Sequence, residues 1–402
     1  LTDQHQKSKN KEILLVFLRL GLTSFGGPVA HLGYFRNEFV ERRKWLSDQV
    51  YADLIALCQF LPGPASSQVG FAIGTMRGGA LGALMAWLGF TLPSALIMTL
   101  FALSLVSFGD LFSHDAIKGR KIVAAAVVAK AIWDMAKSLT PDRERITLAL
   151  VAAGVLLLLS SSLVQILVII GGALFGALWI REKSEPPIES VTKITISKRA
   201  GAASLVLFAL LLVGLPLVTA QLQSSGLSLF DAFYRAGSLV FGGGHVVLPL
   251  LQEEVVSTGL VTTDQFLAGY GVAQAVPGPL FTFSSFLGFV SSSQPSGWLG
   301  GGIALLGIFL PSFLLVWGVL PFWSELRARP GLRNALAGVN AAVVGLLIAA
   351  FYQPVFVSTV ESPFDFAFGL GAFALLAIWK VPPWLVVLTA GLAGLTFSSF
   401  LS

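Results

Sequence analysis

The sequence predicts an all-α, polytopic membrane protein built from two inverted-topology repeats, and three observations predict it. Only 12% of the 402 residues are charged and 55% are hydrophobic, whereas a soluble domain carries about 25% charged residues. Residues 17–94 recur, with small shifts, as residues 233–312. Four apolar segments each carry a helix breaker near the middle.

The shortage of charge is uneven. No Asp, Glu, Lys or Arg occurs from Gln265 to Ser324 or from Ile146 to Ile180, and no water-solvated surface is built from such stretches. Basic residues exceed acidic ones, 26 to 21. In a membrane protein that excess marks cytoplasmic loops and implies no nucleic-acid partner. One cysteine, Cys58, excludes a disulfide framework and a Cys-based metal cluster. Four histidines, none at helical pair spacing, give no haem, iron–sulfur or zinc signature, so no metal, cofactor or enzymatic activity is expected.

Residues 1–12 read as a polar tail with no cleavable signal peptide. The first repeat covers 13–183, a cytoplasmic linker 184–199, a connecting transmembrane helix 200–222 and the second repeat 223–402. An offset of 216 pairs Phe17 with Phe233, Arg19 with Arg235, Gly21 with Gly237 and Gly26-Gly27 with Gly242-Gly243. An offset of 215 pairs Gln59 with Gln274 and Pro62-Gly63-Pro64 with Pro277-Gly278-Pro279. At 218, Leu92-Pro93-Ser94 meets Leu310-Pro311-Ser312. Such long-period duplication is the usual construction of secondary transporters.

Spanning helices are expected at about 80–108, 121–139, 146–160, 163–180, 200–220, 298–322, 335–353, 364–379 and 383–400. The helix at 200–220 has no counterpart before the first repeat, and this unpaired crossing inverts the second half. The linker after Phe39 holds Arg42, Arg43 and Lys44, while its counterpart holds Glu253 and Glu254. By the positive-inside rule the first faces the cytoplasm and the second faces away, with the N-terminus inside and the C-terminus outside. The expected place is the cytoplasmic (inner) membrane. The loop 109–120, with Lys118 and Arg120, is the misfit.

The remaining segments, 13–40, 50–77, 229–251 and 265–292, break at Gly26-Gly27-Pro28, Pro62-Gly63-Pro64, Gly242-Gly243-Gly244 and Pro277-Gly278-Pro279. Half-helices of 10–14 residues are too short to cross, so re-entrant or broken helices are expected. A broken helix offers backbone N–H groups at the start of its second half, where the helix dipole favours anions. Ser66, Ser67, Thr282, Ser284 and Ser285 add hydroxyls behind the breaks, and Gln59 and Gln274 add amides. The set suits a compact oxyanion with several acceptor oxygens.

Arg19 and Arg235 occupy equivalent positions and read either as an anion clamp or as side chains snorkelling to the interface. Lys130, Asp134 and Lys137 share one helix face, as a pathway lining or a self-neutralising group. Glu38 and Glu254 are proton-coupling candidates, although other charges nearby favour solvated linkers. His31 and His245 follow the glycine breaks and titrate in a useful range, with polar packing an equal alternative. The Pro93-Ser94 and Pro311-Ser312 pairs read as kinks, and the glycine runs at 78–82 and 297–302 as close packing.

The motifs FLRLGLTSFGGP (17–28), QFLPGP (59–64) and GGALGALMAWLGFTLPS (78–94) resemble the chromate ion transporter family in its long, two-repeat form. So do FYRAGSLVFGGGHVVLP (233–249), AQAVPGP (273–279) and GIFLPSF (307–313). The resemblance implies efflux of chromate driven by the membrane potential or the proton gradient, chromate resistance, and sulfate as a competitor. The residues themselves support a carrier of a small oxyanion in a lipid bilayer. A sulfate carrier and an anion channel stay open as alternatives, as does a homodimer.

Overall fold

The computed structural model describes residues 2–25, 27–108, 122, 125–126, 129–130, 132–133, 136–137, 139–159, 162–180, 196–222, 224–240, 251–252, 254–327, 329–357, 360, 362–381 and 385–386. Gly26, Asp134, Gly242, Gly243, Gly244 and His245 lie outside the described residues. Every regular element among them is helical.

Helix α1 (Thr2–Thr23) stops two residues before the Gly-Gly pair, and α2 (Gly27–Arg36) begins at a glycine with φ +79°. A helical coil of six residues, Asn37–Arg42, continues α2. The chain has turned back by then: Arg43 Nη1 reaches Glu12 Oε1 at 2.7 Å, and the Phe17 and Phe39 rings lie 5.0 Å apart. Helix α3 (Asp48–Phe60) starts at Ser47, whose hydroxyl caps the Val50 N–H, and ends at the Pro-Gly-Pro break.

Helix α4 (Ala65–Phe108) has 44 residues. Straight, it would be about 66 Å long, twice the hydrocarbon core of a bilayer. It is not straight. Gly79, at φ +64° and ψ −151°, reverses the chain between arms 65–78 and 80–108. The arms pack so closely that a Cβ on Gly74 would lie 2.5 Å from the Gly82 carbonyl oxygen and 2.7 Å from the Ala86 methyl. The second arm matches the expected span, whereas the glycine run serves as a reversal as well as a packing seam. Arg77, at the end of the first arm, stacks over Trp45 at 4.8 Å. Glu12, Arg43, Trp45 and Arg77 therefore mark one mouth, at which both broken segments of the first repeat begin and end.

Helices α5 (Arg143–Leu158) and α6 (Ser162–Trp179) follow, and then α7 (Lys198–Leu222), which exposes Val206, Leu210, Val213 and Leu217. Exposed apolar side chains along a 25-residue helix suit contact with lipid tails. The second repeat opens with α8 (Ser225–Leu239) and resumes with α9 (Thr263–Ala275), started by a Thr262–Gln265 capping box. After Pro-Gly-Pro come a 3₁₀ turn, α10 (Phe283–Val290) and α11 (Gly297–Val319). Ser292 returns to the start of its segment, its N–H on the Leu260 carbonyl at 2.8 Å and its hydroxyl on that of Gly259 at 2.9 Å. Gly259, Leu260 and Ser292 form the second mouth.

The two mouths lie at opposite ends. Trp317 is twenty residues into α11, about 30 Å from the second mouth at 1.5 Å per residue. Yet its Nε1 bonds to Thr75 Oγ1 at 2.9 Å, two residues from Arg77 at the first mouth. Reciprocally, Phe101, far along the second arm of α4, stacks on Phe286 at 5.6 Å near the second mouth. The repeats are inverted. Between them Phe71 stacks on Phe313 at 4.2 Å, and Trp87 sits edge-on to Phe309 and Phe313.

The outer helices are exchanged. Helix α12 (Pro330–Ala350), from the second repeat, packs on α5 and α6 of the first. Gly338 faces Gly172 and Gly176, and Gly345 faces Ala149 and Ala152. Conversely, Ile122 and Gly369 of α13 (Pro363–Ala377) both line an apolar cavity of about 250 Å³, with Phe351 and Phe373.

Candidate functional site

The two Pro-Gly-Pro breaks each cross to the opposite repeat. Proline carries no N–H, so the Gly63 amide is the sole backbone donor of its Pro-Gly-Pro, and Gly278 likewise. Each donates to the opposite repeat: Gly278 N–H to the Ser24 carbonyl at 2.9 Å, and Gly63 N–H to the Val240 carbonyl at 2.5 Å. Ser24 and Val240 are equivalent residues, each just before Phe-Gly-Gly. Both glycines have positive φ, +123° and +97°, which a Cβ would strain. The two amides expected to face an anion are thus bonded to protein carbonyls here.

The Leu-Pro-Ser tripeptides complete the crossing. A Cβ on Gly278 would lie 2.8 Å from Ser94 Oγ, and one on Gly63 would overlap the Ser312 hydroxyl. Helices α4 and α11 run through Pro93 and Pro311 without ending. The serines expected at mere kinks therefore sit against the opposite repeat's Pro-Gly-Pro. Repetition at offset 218 was the available signal, and only the fold shows its purpose.

Around this crossing the polar capacity is unequal. His31 is 1% exposed, with Nδ1 3.2 Å from Ser66 Oγ and its ring edge-on to Phe90. The Nε2 of His31 and the hydroxyls of Ser24, Ser67, Thr91 and Ser312 are buried without a partner among the described residues. An unpaired buried hydroxyl costs about 1–3 kcal/mol, so a cluster of them is polar capacity suited to a ligand. Four of these five groups come from the first repeat. In the second, Thr282, Ser284 and Ser285 donate to carbonyls of Pro279, Phe281 and Thr282, so those hydroxyls are already engaged.

The paired candidates also differ. Arg19 is exposed on α1 and has no ion-pair partner among the described residues, whereas Arg235 bonds Glu254 at 2.9 Å and lies 3.3 Å from Asp231. Gln59 is exposed, whereas Gln274 donates to the Tyr270 hydroxyl at 2.7 Å. Glu38 is buried, not solvated: it accepts from Arg43 Nε at 2.6 Å and Arg42 Nη1 at 3.0 Å. Burial raises its pKa, but the two guanidiniums outweigh that and hold it below the ordinary 4.5. Lys137 stacks over Trp133 at 4.8 Å, and Lys130 is half-buried in the same stretch.

A helical membrane chain whose inverted repeats meet at a polar, helix-broken centre is a membrane transporter by architecture. The chain belongs to the chromate transporter family, whose model matches residues 11–177 and 227–395, one segment per repeat. It is 32% identical to the chromate transport protein of Pseudomonas aeruginosa over 94% of this chain and 90% of that one. It is 29% identical to a probable chromate transport protein of Synechococcus elongatus over 98% and 97%. The chromate transport protein of Cupriavidus metallidurans is 26% identical over 96% and 92%. No solved structure matches.

Proposed function

We propose that the protein is a secondary active transporter that exports chromate across the cytoplasmic membrane, driven by the proton gradient or the membrane potential, and so confers chromate resistance. The observation that carries the reading is the reciprocal crossing of Ser24 with Gly278 and Val240 with Gly63, together with the unpartnered buried His31 Nε2 and the hydroxyls of Ser67, Thr91 and Ser312. Transport opens one of the two crossings at a time. The oxyanion then takes the freed glycine amide in place of the carbonyl and gathers hydroxyls around it. Such a site reads charge and tetrahedral shape, which favours sulfate as a second substrate. Glu38, held by two arginines, is a structural tie in this scheme, and His31 is the stronger candidate for a proton carrier.

Purified protein in proteoliposomes, given labelled chromate or sulfate and an imposed pH gradient or potential, tests the reading. Concentrative chromate movement is expected. Movement only down its own gradient would make the protein a channel, and equal sulfate rates would end the specificity. Orientation is tested with single cysteines at Lys44 and Thr258, both exposed, in a Cys58→Ser background. Lys44 is expected to label from the cytoplasm and Thr258 from outside, and labelling from one common side refutes that topology.

A further inference from the structure

We propose that the arginine and the side-chain amide that meet the oxyanion come from the first repeat, with Arg19 and Gln59 facing the ligand while Arg235 and Gln274 brace the second repeat. This rests on the oxyanion-transporter reading and divides its site unequally.

The unequal pairing is written into the sequence. Arg235 has Asp231 four residues before it on α8, and the position equivalent to Asp231 is Leu15. Gln274 has Tyr270 four residues before it on α9, and the position equivalent to Tyr270 is Ile55. Glu254 is available to Arg235, whereas its equivalent, Glu38, is taken by Arg42 and Arg43. The residues equivalent to Arg42 and Arg43 are Thr258 and Gly259, which carry no charge. Three independent differences therefore engage the arginine and amide of one repeat and leave those of the other open.

The open pair is also accessible, although Leu15 and Leu22 beside Arg19 on α1 are exposed as well. Arg19, Thr23 and Gln59 are all exposed within one turn or two of the breaks. A charged or polar group at that depth needs water or a polar partner such as the oxyanion, because lipid tails would leave it unsolvated. An arginine already paired with carboxyl groups offers an anion little further attraction. Arg19 has no carboxylate beside it among the described residues, and its guanidinium geometry suits two oxygens of a tetrahedral oxyanion. Anion attraction then belongs to the vestibule of the first mouth, and the second mouth offers a weaker hold, which suits release.

The test compares removal of the open pair with transplantation of the brace. In proteoliposomes, Arg19→Gln and Gln59→Leu are expected to raise the chromate KM about ten-fold while kcat changes little. Leu15→Asp and Ile55→Tyr, which give Arg19 and Gln59 the partners their equivalents have, are expected to raise KM similarly. Asp231→Asn and Tyr270→Phe are expected to lower the melting temperature and leave KM within about two-fold. Equal KM increases from both repeats overturn the proposal while leaving transport intact. No flux and no equilibrium binding of labelled oxyanion by the wild type overturns the transporter reading as well. A lipid phosphate is the other anion Arg19 could hold. If Arg19→Gln leaves KM unchanged and alters only stabilisation by phosphatidylglycerol, the proposal fails.

Discussion

Replacing Gly63 by Ala tests the crossing at its tightest point. The residue sits at φ +123°, a region almost closed to side chains, where occupancy costs about 1–3 kcal/mol. The new methyl overlaps the Ser312 hydroxyl, and moving the loop to relieve it lengthens the 2.5 Å bond to Val240. Losing that bond adds about 0.5–1.5 kcal/mol. The expected destabilisation is about 2–4 kcal/mol, with a slightly smaller value for Gly278→Ala, whose φ is +97° and whose neighbouring Ser94 stands farther away. Cys58, fully buried and the single cysteine of the chain, supplies the assay. A thiol-reactive dye added during a thermal ramp in detergent reports its exposure. Ser312→Ala in the Gly63→Ala background separates the causes, because it removes the overlap with the hydroxyl and keeps the backbone strain and the 2.6 Å approach to Gln68 Nε2. Partial recovery is expected. Stability unchanged by Gly63→Ala, or restored completely by Ser312→Ala, would falsify the strain argument.

Glu38→Gln removes a carboxylate held below its ordinary value of 4.5, so the contribution is complete above pH 4.5 and is lost as pH falls through the lower folded value. The wild-type advantage is expected to be about 1–2 kcal/mol at pH 7, discounted for partly exposed arginines, and to shrink only below pH 4.5. Thermal melts from pH 7 to pH 3 measure it, and an advantage that fades near pH 6 contradicts the assignment. Gly338→Ala places a methyl against the Gly172 carbonyl and the Gly176 backbone, where α12 meets α6. An overpacking cost of about 1–3 kcal/mol is expected in the same dye assay, and neutrality would mean the helices stand farther apart. Gly79→Ala meets no atom within 4 Å, so its expected cost, about 1–3 kcal/mol, comes from backbone strain alone.

Composition and duplication made the helical, membrane-spanning, two-repeat architecture legible, because lipid imposes apolar spans and duplication leaves matched residues. The inversion was legible through one contrast, basic residues after Phe39 against Glu253 and Glu254. The crossing was not. A bond from the Gly63 amide to the Val240 carbonyl uses main-chain atoms that every residue possesses, so no side-chain pattern announces it. Ser94 and Ser312 were visible as repeated residues but silent about which breaker they face. Equivalence in sequence also suggested equal roles for Arg19 and Arg235. Their partners decide the matter, and Leu15 against Asp231 becomes meaningful only once helix faces and neighbours are known.

The reciprocal bonds have a consequence for ancestry and assembly. Each half offers one amide that it cannot satisfy itself and one carbonyl that fits the other half. A gene severed in the linker before Lys198 should therefore yield two fragments that reassemble when co-expressed, while either fragment alone would lack a carbonyl for its glycine. Two copies of a single ancestral half could meet the same need only by inserting in opposite directions. The fused chain holds such an antiparallel pair at a fixed one-to-one ratio.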